Sequence, residues 1–202
     1  MSIAAPTVGR PRAFDEEAAL GRAAEVFWRH GYEGASLSAL TSAMGINRPS
    51  LYAAFGNKEQ LFQRAFARYH ETQVAGVRAA LERPTAYAAV EAFLRSSADG
   101  LTADDHPAGC LSVQGGLACS PDNTRISEIL AAGRAATESA LVERLSRAEE
   151  EGDLPDGVDA RALARFVMAL SEGHAVHAAA GATREDLQAS VDVALRALAL
   201  RP

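Results

Sequence analysis

The sequence has no sustained alternation of apolar and polar residues, and its β-branched residues are scattered. Both absences argue against a sheet. No apolar run approaches the roughly 20 residues needed to cross a bilayer. The opening stretch, Met1 to Arg12, lacks the apolar centre of a secretory signal. A cytoplasmic protein without membrane contact is therefore expected. Cysteine is scarce: Cys110 and Cys119 are the only two, and in a reducing compartment such residues are expected to be buried small hydrophobes rather than a disulfide. No Cys/His spacing suits zinc, and His174 and His177 lie three residues apart without a carboxylate partner. No phosphate loop, nucleophile–base order or paired carboxylate appears. The expectation is no metal, no cofactor and no enzymatic activity.

Charge is unevenly spread. The chain carries a net −6, yet residues 1–58 hold six basic against five acidic side chains, while the rest holds fourteen against twenty-one. The acidity belongs to the body, and phosphate binding depends on local charge. Lysine occurs once, as Lys58.

What is present is alanine and helical periodicity. Alanine has the highest helix propensity, and the pattern predicts about nine helices in an all-α fold. The first is expected over Asp15–His30, with Leu20, Ala23 and Phe27 on one face and Gly31 as its stop. Ser36 and Asn47 read as N-caps of the next two, with Pro49 in the first turn of the latter. Asn57 and Gln60 have capping-box spacing at the start of a fourth helix running to about Arg83. Helices are expected over 85–102, 109–118, 122–151, 159–180 and 183–200.

The segment Ser36–Phe55 reads helix, glycine-containing turn, helix. Leu37, Leu40, Ile46, Leu51 and Phe55 are placed to pack against Leu20, Ala23 and Phe27. This is a helix-turn-helix layout, whose second helix enters the major groove of DNA. The expected organisation is a DNA-binding domain over residues 1–58, with the motif at 36–55, and a second domain over 59–202.

The run FWRHGY, then SLxxL, then MGINRPSLYxxFxNKExL, between Phe27 and Leu61, resembles the head of the tetracycline-repressor (TetR) family. The GCLxxQG stretch at Gly109–Gly115 is similar to one branch of that family. The resemblance implies a repressor that binds a palindromic double-stranded operator as a homodimer and is released by a small-molecule effector. The alternatives are an activator of the same family, or a helical adaptor that binds protein. It implies that Ser36, Tyr52 and Lys58 meet phosphates, and that Asn47, Arg48 and Ser50 face bases or phosphates. Arg48 is the candidate for a bidentate contact to guanine. Arg10 and Arg12 precede the first helix and could reach the backbone or minor groove. Pro49 stands where the family often has glycine, and Ala53 where it often has a polar residue, so few side chains remain to read bases.

For the body, an apolar effector pocket is expected from Phe66, Phe93, Cys110, Val113, Gln114, Leu117, Ile129 and His174. Trp28 reads as packing at the junction between head and body. The last two helices carry apolar stripes, and the family resemblance implies that they meet their twin through Leu163, Phe166, Leu170, Leu187, Val191 and Leu195 in a two-fold four-helix bundle.

Overall fold

The computed structural model describes residues 14–116, 119–198 and 200. Arg10, Arg12 and Leu117 lie outside the described residues. Among those described, the fold is all-helical: α1 (Glu16–Gly34), α2 (Leu37–Met44), α3 (Arg48–Phe55), α4 (Lys58–Leu81), α5 (Ala86–Leu101), α6 (Leu111–Gln114), α7 (Thr124–Glu150), α8 (Ala160–Ala179) and α9 (Arg184–Ala197), with a 3₁₀ turn at Pro121–Asn123 before α7.

The expected caps are made. Asp15, expected as the first residue of the first helix, is its N-cap instead, the side chain accepting from Ala18 N at 3.1 Å. Asn57 and Gln60 bond reciprocally at 2.8 and 3.0 Å, closing the capping box. Gly31 interrupts α1 with φ 65°, ψ 174°, a conformation that strains any side-chain-bearing residue, and one further turn follows it. The sixth helix is shorter than its expected span of 109–118. Gly115 and Gly116 end it, and Gly116 is needed for contact: an added Cβ there would sit 2.5 Å from Leu130 Cδ1 of α7.

Two apolar cores form. One joins α1–α3 to the first half of α4 and is closed from the body side by Leu111, Ile126 and Leu130; Phe27, Leu40, Leu51 and Phe62 are its buried centre. Each such side chain stabilises the fold by about 1.5–3 kcal/mol. The head core thus runs past residue 58 into α4. The other core packs α5, α7, α8 and α9 around Val90, Leu94, Leu141, Leu145 and Val167.

Arg144 joins the two halves of the body. It is 5% exposed, and its guanidinium donates to the carbonyls of Leu81, Arg83 and Pro84 at 3.1–3.2 Å. Those carbonyls are the orphan acceptors at the end of α4 and the turn after it, where the helix dipole favours a cation.

Candidate DNA-binding surface and body cavity

Two helix N-termini define the outer face of the head. The Ser36 Oγ accepts from Ala39 N at 3.1 Å and starts α2. Asn47 Oδ1 accepts from Ser50 N at 2.9 Å and starts α3. Gly45 turns the chain between them in the left-handed conformation, φ 67°. Arg22 donates to the Met44 carbonyl at 3.2 Å, holding α2 to α1. Neither α2 nor α3 has an acidic residue in its first turn, so both positive dipole ends remain open to an anion.

The structure brings Ser36, Asn47, Arg48 and Tyr52 to the solvent side of this motif, with Ser50 half-buried. Tyr52 is 49% exposed although its neighbours Leu51 and Phe55 are buried. Lys58 lies at the start of α4 with Nζ 4.5 Å from the Tyr32 ring centroid and 3.5 Å from the Glu33 carbonyl. Burial lowers its pKa, against the opposing pull of Glu33. The head is fixed to α4 by ion pairs of Arg64 with Glu16 at 3.2 Å and Arg68 with Glu17 at 3.3 Å. Arg64 also lies 4.8 Å over the Phe55 ring.

The body contains a cavity of about 190 Å³ between α4, α5, α6, α7 and α8. Phe66, Phe93, Cys110 and Val113 line it, as expected. Three expected residues do not. Gln114 turns away and accepts from Trp28 Nε1 at 2.9 Å. Ile129 packs against the head core instead. His174 is buried between α8 and α9, where Nε2 meets Ser190 Oγ at 2.9 Å; it is Ala175, one residue on, that reaches the cavity. Both cysteines are free and half-buried. The Tyr69 hydroxyl lies 3.2 Å from Cys110 Sγ, which lies 2.8 Å from Ser112 Oγ. Burial, then Cys110, raises the Tyr69 pKa, so its phenol stays protonated.

Trp28 is at the junction as expected, and it also lines the cavity. It stacks on His106 at 4.7 Å and meets Tyr69 edge-on at 5.0 Å. The same end of α1 is tied to the segment after α6. Tyr32 N donates to the Gly115 carbonyl at 3.4 Å. Glu33 accepts from Ser120 N and the Asn123 amide at 2.9 and 2.8 Å. The Ser120 and Asn123 hydrogen bonds hold its carboxyl below the usual range.

The expected dimer residues are corrected by burial. Leu163, Leu187, Val191 and Leu195 are at most 5% exposed and face their own chain's core, and Leu170 is half-buried. The apolar positions of α8 and α9 left open are Phe166, Val176 and Val193, which are 45%, 50% and 60% exposed. Exposed Ala162, Ala169 and Ala189 surround them. Among the described residues, no helix is long and apolar enough to cross a membrane.

A small helix-turn-helix head fused to a cavity-bearing helical body defines a one-component transcriptional regulator. The chain belongs to the TetR family: residues 19–65 match the bacterial regulatory proteins, tetR family, and residues 86–198 match the tetracyclin repressor-like C-terminal domain. It is 35% identical to the HTH-type transcriptional repressor ComR of Escherichia coli (strain K12), over 93% of this chain and 90% of that protein. It is 32% identical to the uncharacterized HTH-type transcriptional regulator YezE of Bacillus subtilis (strain 168), over 95% and 100%. A cysteine mutant of the TetR family transcriptional regulator CifR, solved with a 26bp double-strand operator DNA, superposes with a TM-score of 0.89 at 43% identity, covering 93% of this chain and 99% of that one.

Proposed function

We propose that the protein is a homodimeric repressor that reads a pseudo-palindromic operator with α3 and releases it when a small molecule fills the body cavity. It acts in the cytoplasm by binding, not catalysis. The observation that carries this reading is the outward presentation of Asn47, Arg48 and Tyr52 on α3, beside the N-terminus of α2 that Ser36 caps. Capping alone explains Asn47, but not a half-exposed tyrosine on a helix whose other ring is buried. Arg48 serves as the base-reading side chain, and Ser36, Ser50, Tyr52 and Lys58 position the head on the backbone. Lys58 reaches a phosphate by extending from its seat over Tyr32.

The second copy is docked on the open apolar face of α8 and α9, through Phe166, Val176 and Val193. The small residues around them permit close helix approach. Two heads so joined suit half-sites about 34–36 Å apart or a multiple of that turn. The cavity couples to the heads by two routes: α4, which forms one cavity wall and begins in the head, and the α6 segment, which is bonded to α1 through Trp28, Tyr32 and Glu33. Support for repression comes from ComR, itself named a repressor.

The test is footprinting of the purified protein on the promoter upstream of its own coding region. The expected result is a protected inverted repeat, lost in Arg48→Ala and Tyr52→Ala variants that keep fold and dimer. A helical adaptor would protect no fragment in dilute salt, and that result would overturn the proposal.

A further inference from the structure

The charges in the cavity wall cancel. Its lining holds the His70 imidazole and two groups of opposite charge, Arg134 and Glu172. They face each other, Arg134 Nε lying 3.6 Å from the Glu172 carboxylate, and Arg134 Nη1 also donates to the Ser112 carbonyl. A ligand ion would meet a guanidinium and a carboxylate that already offset each other, and would be repelled by one member of the pair. Burying an ion without a partner is the costlier outcome.

The hydroxyls divide into three kinds, the first being those of Tyr69 and Ser112, which both meet Cys110 Sγ, at 3.2 and 2.8 Å. Thr72, Ser96 and Thr137 donate to backbone carbonyls of their own helices, those of Tyr69, Phe93 and Gly133. Their protons are already in use. Ser97 of α5 and Ser171 of α8 instead bond each other, Oγ to Oγ, at 2.8 Å. One bond between two hydroxyls uses one proton and leaves the other, together with spare lone pairs. The pair can therefore donate to a carbonyl or ether or accept from an alcohol. It sits one helical turn from Phe93 and Met168, so the polar spot borders an apolar, aromatic wall.

Size closes the argument. An apolar cavity of about 150 Å³ holds a benzene ring. This one, at about 190 Å³, admits one ring and a short substituent.

We propose that the effector is a compact, uncharged molecule with a flat apolar body and one hydroxyl, carbonyl or ether group, which the Ser97–Ser171 pair receives. This rests on the reading of the cavity as the effector site, and the experiment separates the two. Trp28 is the sole tryptophan of the chain and lines the cavity, so its fluorescence reports on occupancy. The full-length protein is titrated with benzyl alcohol, toluene, benzoate and benzylammonium, following Trp28 emission and thermal midpoint. Benzyl alcohol is expected to bind saturably and at least about tenfold tighter than either ion. The double variant Ser97→Ala/Ser171→Ala removes both partners of a bond, which is nearly neutral for folding, and is expected to abolish the preference of benzyl alcohol over toluene. Gly100→Phe is expected to weaken every probe, because Gly100 lines the cavity and an added Cβ there meets nothing within 4 Å.

Benzoate or benzylammonium binding as tightly as benzyl alcohol overturns the ligand class and leaves the cavity reading standing. An unchanged benzyl alcohol preference in the double variant overturns the role of the serine pair. Failure of all four probes to bind, or binding that Gly100→Phe leaves intact, overturns the cavity reading itself.

Discussion

Trp28 Nε1 donates to Gln114 Oε1 across 2.9 Å, joining head helix α1 to α6 over 86 positions of sequence. The bond depends on Gly109, φ 91°, because a Cβ there would lie 2.6 Å from Gln114 Oε1. Ser112 and Val113, just before Gln114, line the cavity. A ligand that displaces them acts on the acceptor of the indole. Gln114→Leu leaves a buried N–H without a partner, and is expected to lower stability by about 1–3 kcal/mol. Urea unfolding followed by Trp28 emission measures it. Operator affinity without effector should change little, while the ratio of affinities with and without effector should shrink. An unchanged ratio would show that α4 alone transmits the signal.

Arg48→Ala should cost about 1–3 kcal/mol of operator affinity and relax specificity at one position of each half-site. Arg48 is exposed at the start of α3, so the thermal midpoint should not move. Lys58→Gln should behave differently. It should weaken all duplexes alike and reduce the dependence of log affinity on log salt by about one. Fluorescence anisotropy with operator and scrambled duplexes at several salt concentrations distinguishes the two. Equal effects on both duplexes for Arg48→Ala would remove it from base reading.

Much of the head was legible because it is written in local chemistry. Ser36, Asn47 and Asn57 cap the helices their positions suggested, since a cap is a contact across three residues. Long-range partners left no such trace. The stripe of Leu163 and Val167 announces a buried face, but periodicity does not say whether the cover is α5 of the same chain or a second copy. Gln114 reads as a polar fixture for a ligand, and its acceptor is instead used by a tryptophan in the head. Arg144 gives no signal in sequence, because its acceptors are backbone carbonyls some sixty residues away.

The burial pattern of α8 separates assembly from folding. Phe166→Asp or Val193→Asp places a charge on an open apolar face and is expected to yield a folded monomer. Leu163→Ala truncates a side chain 4% exposed and is expected to cost about 2–5 kcal/mol of stability. Sedimentation and circular dichroism together decide the matter. A Phe166→Asp chain that still sediments as a dimer would place the interface elsewhere.

His174 should set the stability of the body at mildly acidic pH. It is 3% exposed, its Nε2 is paired with Ser190, and its Nδ1 has no hydrogen-bond partner among the described residues. Burial first, and then the neighbouring His177, lowers its pKa below the ordinary 6.5. The folded chain therefore binds fewer protons than the unfolded chain between the two values. In that window stability must rise with pH. Full stability is present above about pH 6.5 and is lost as the pH falls toward the folded value. The depressed carboxyls of Glu33 and Asp186 lose their contributions only at lower pH. His174→Gln keeps a group able to bond Ser190 but cannot titrate, so its thermal midpoint should be flatter between pH 5 and 7 than that of the parent. Parallel curves for the two proteins across that range would mean that His174 takes up its proton alike in the folded and unfolded chains, and would assign the acid sensitivity to other groups.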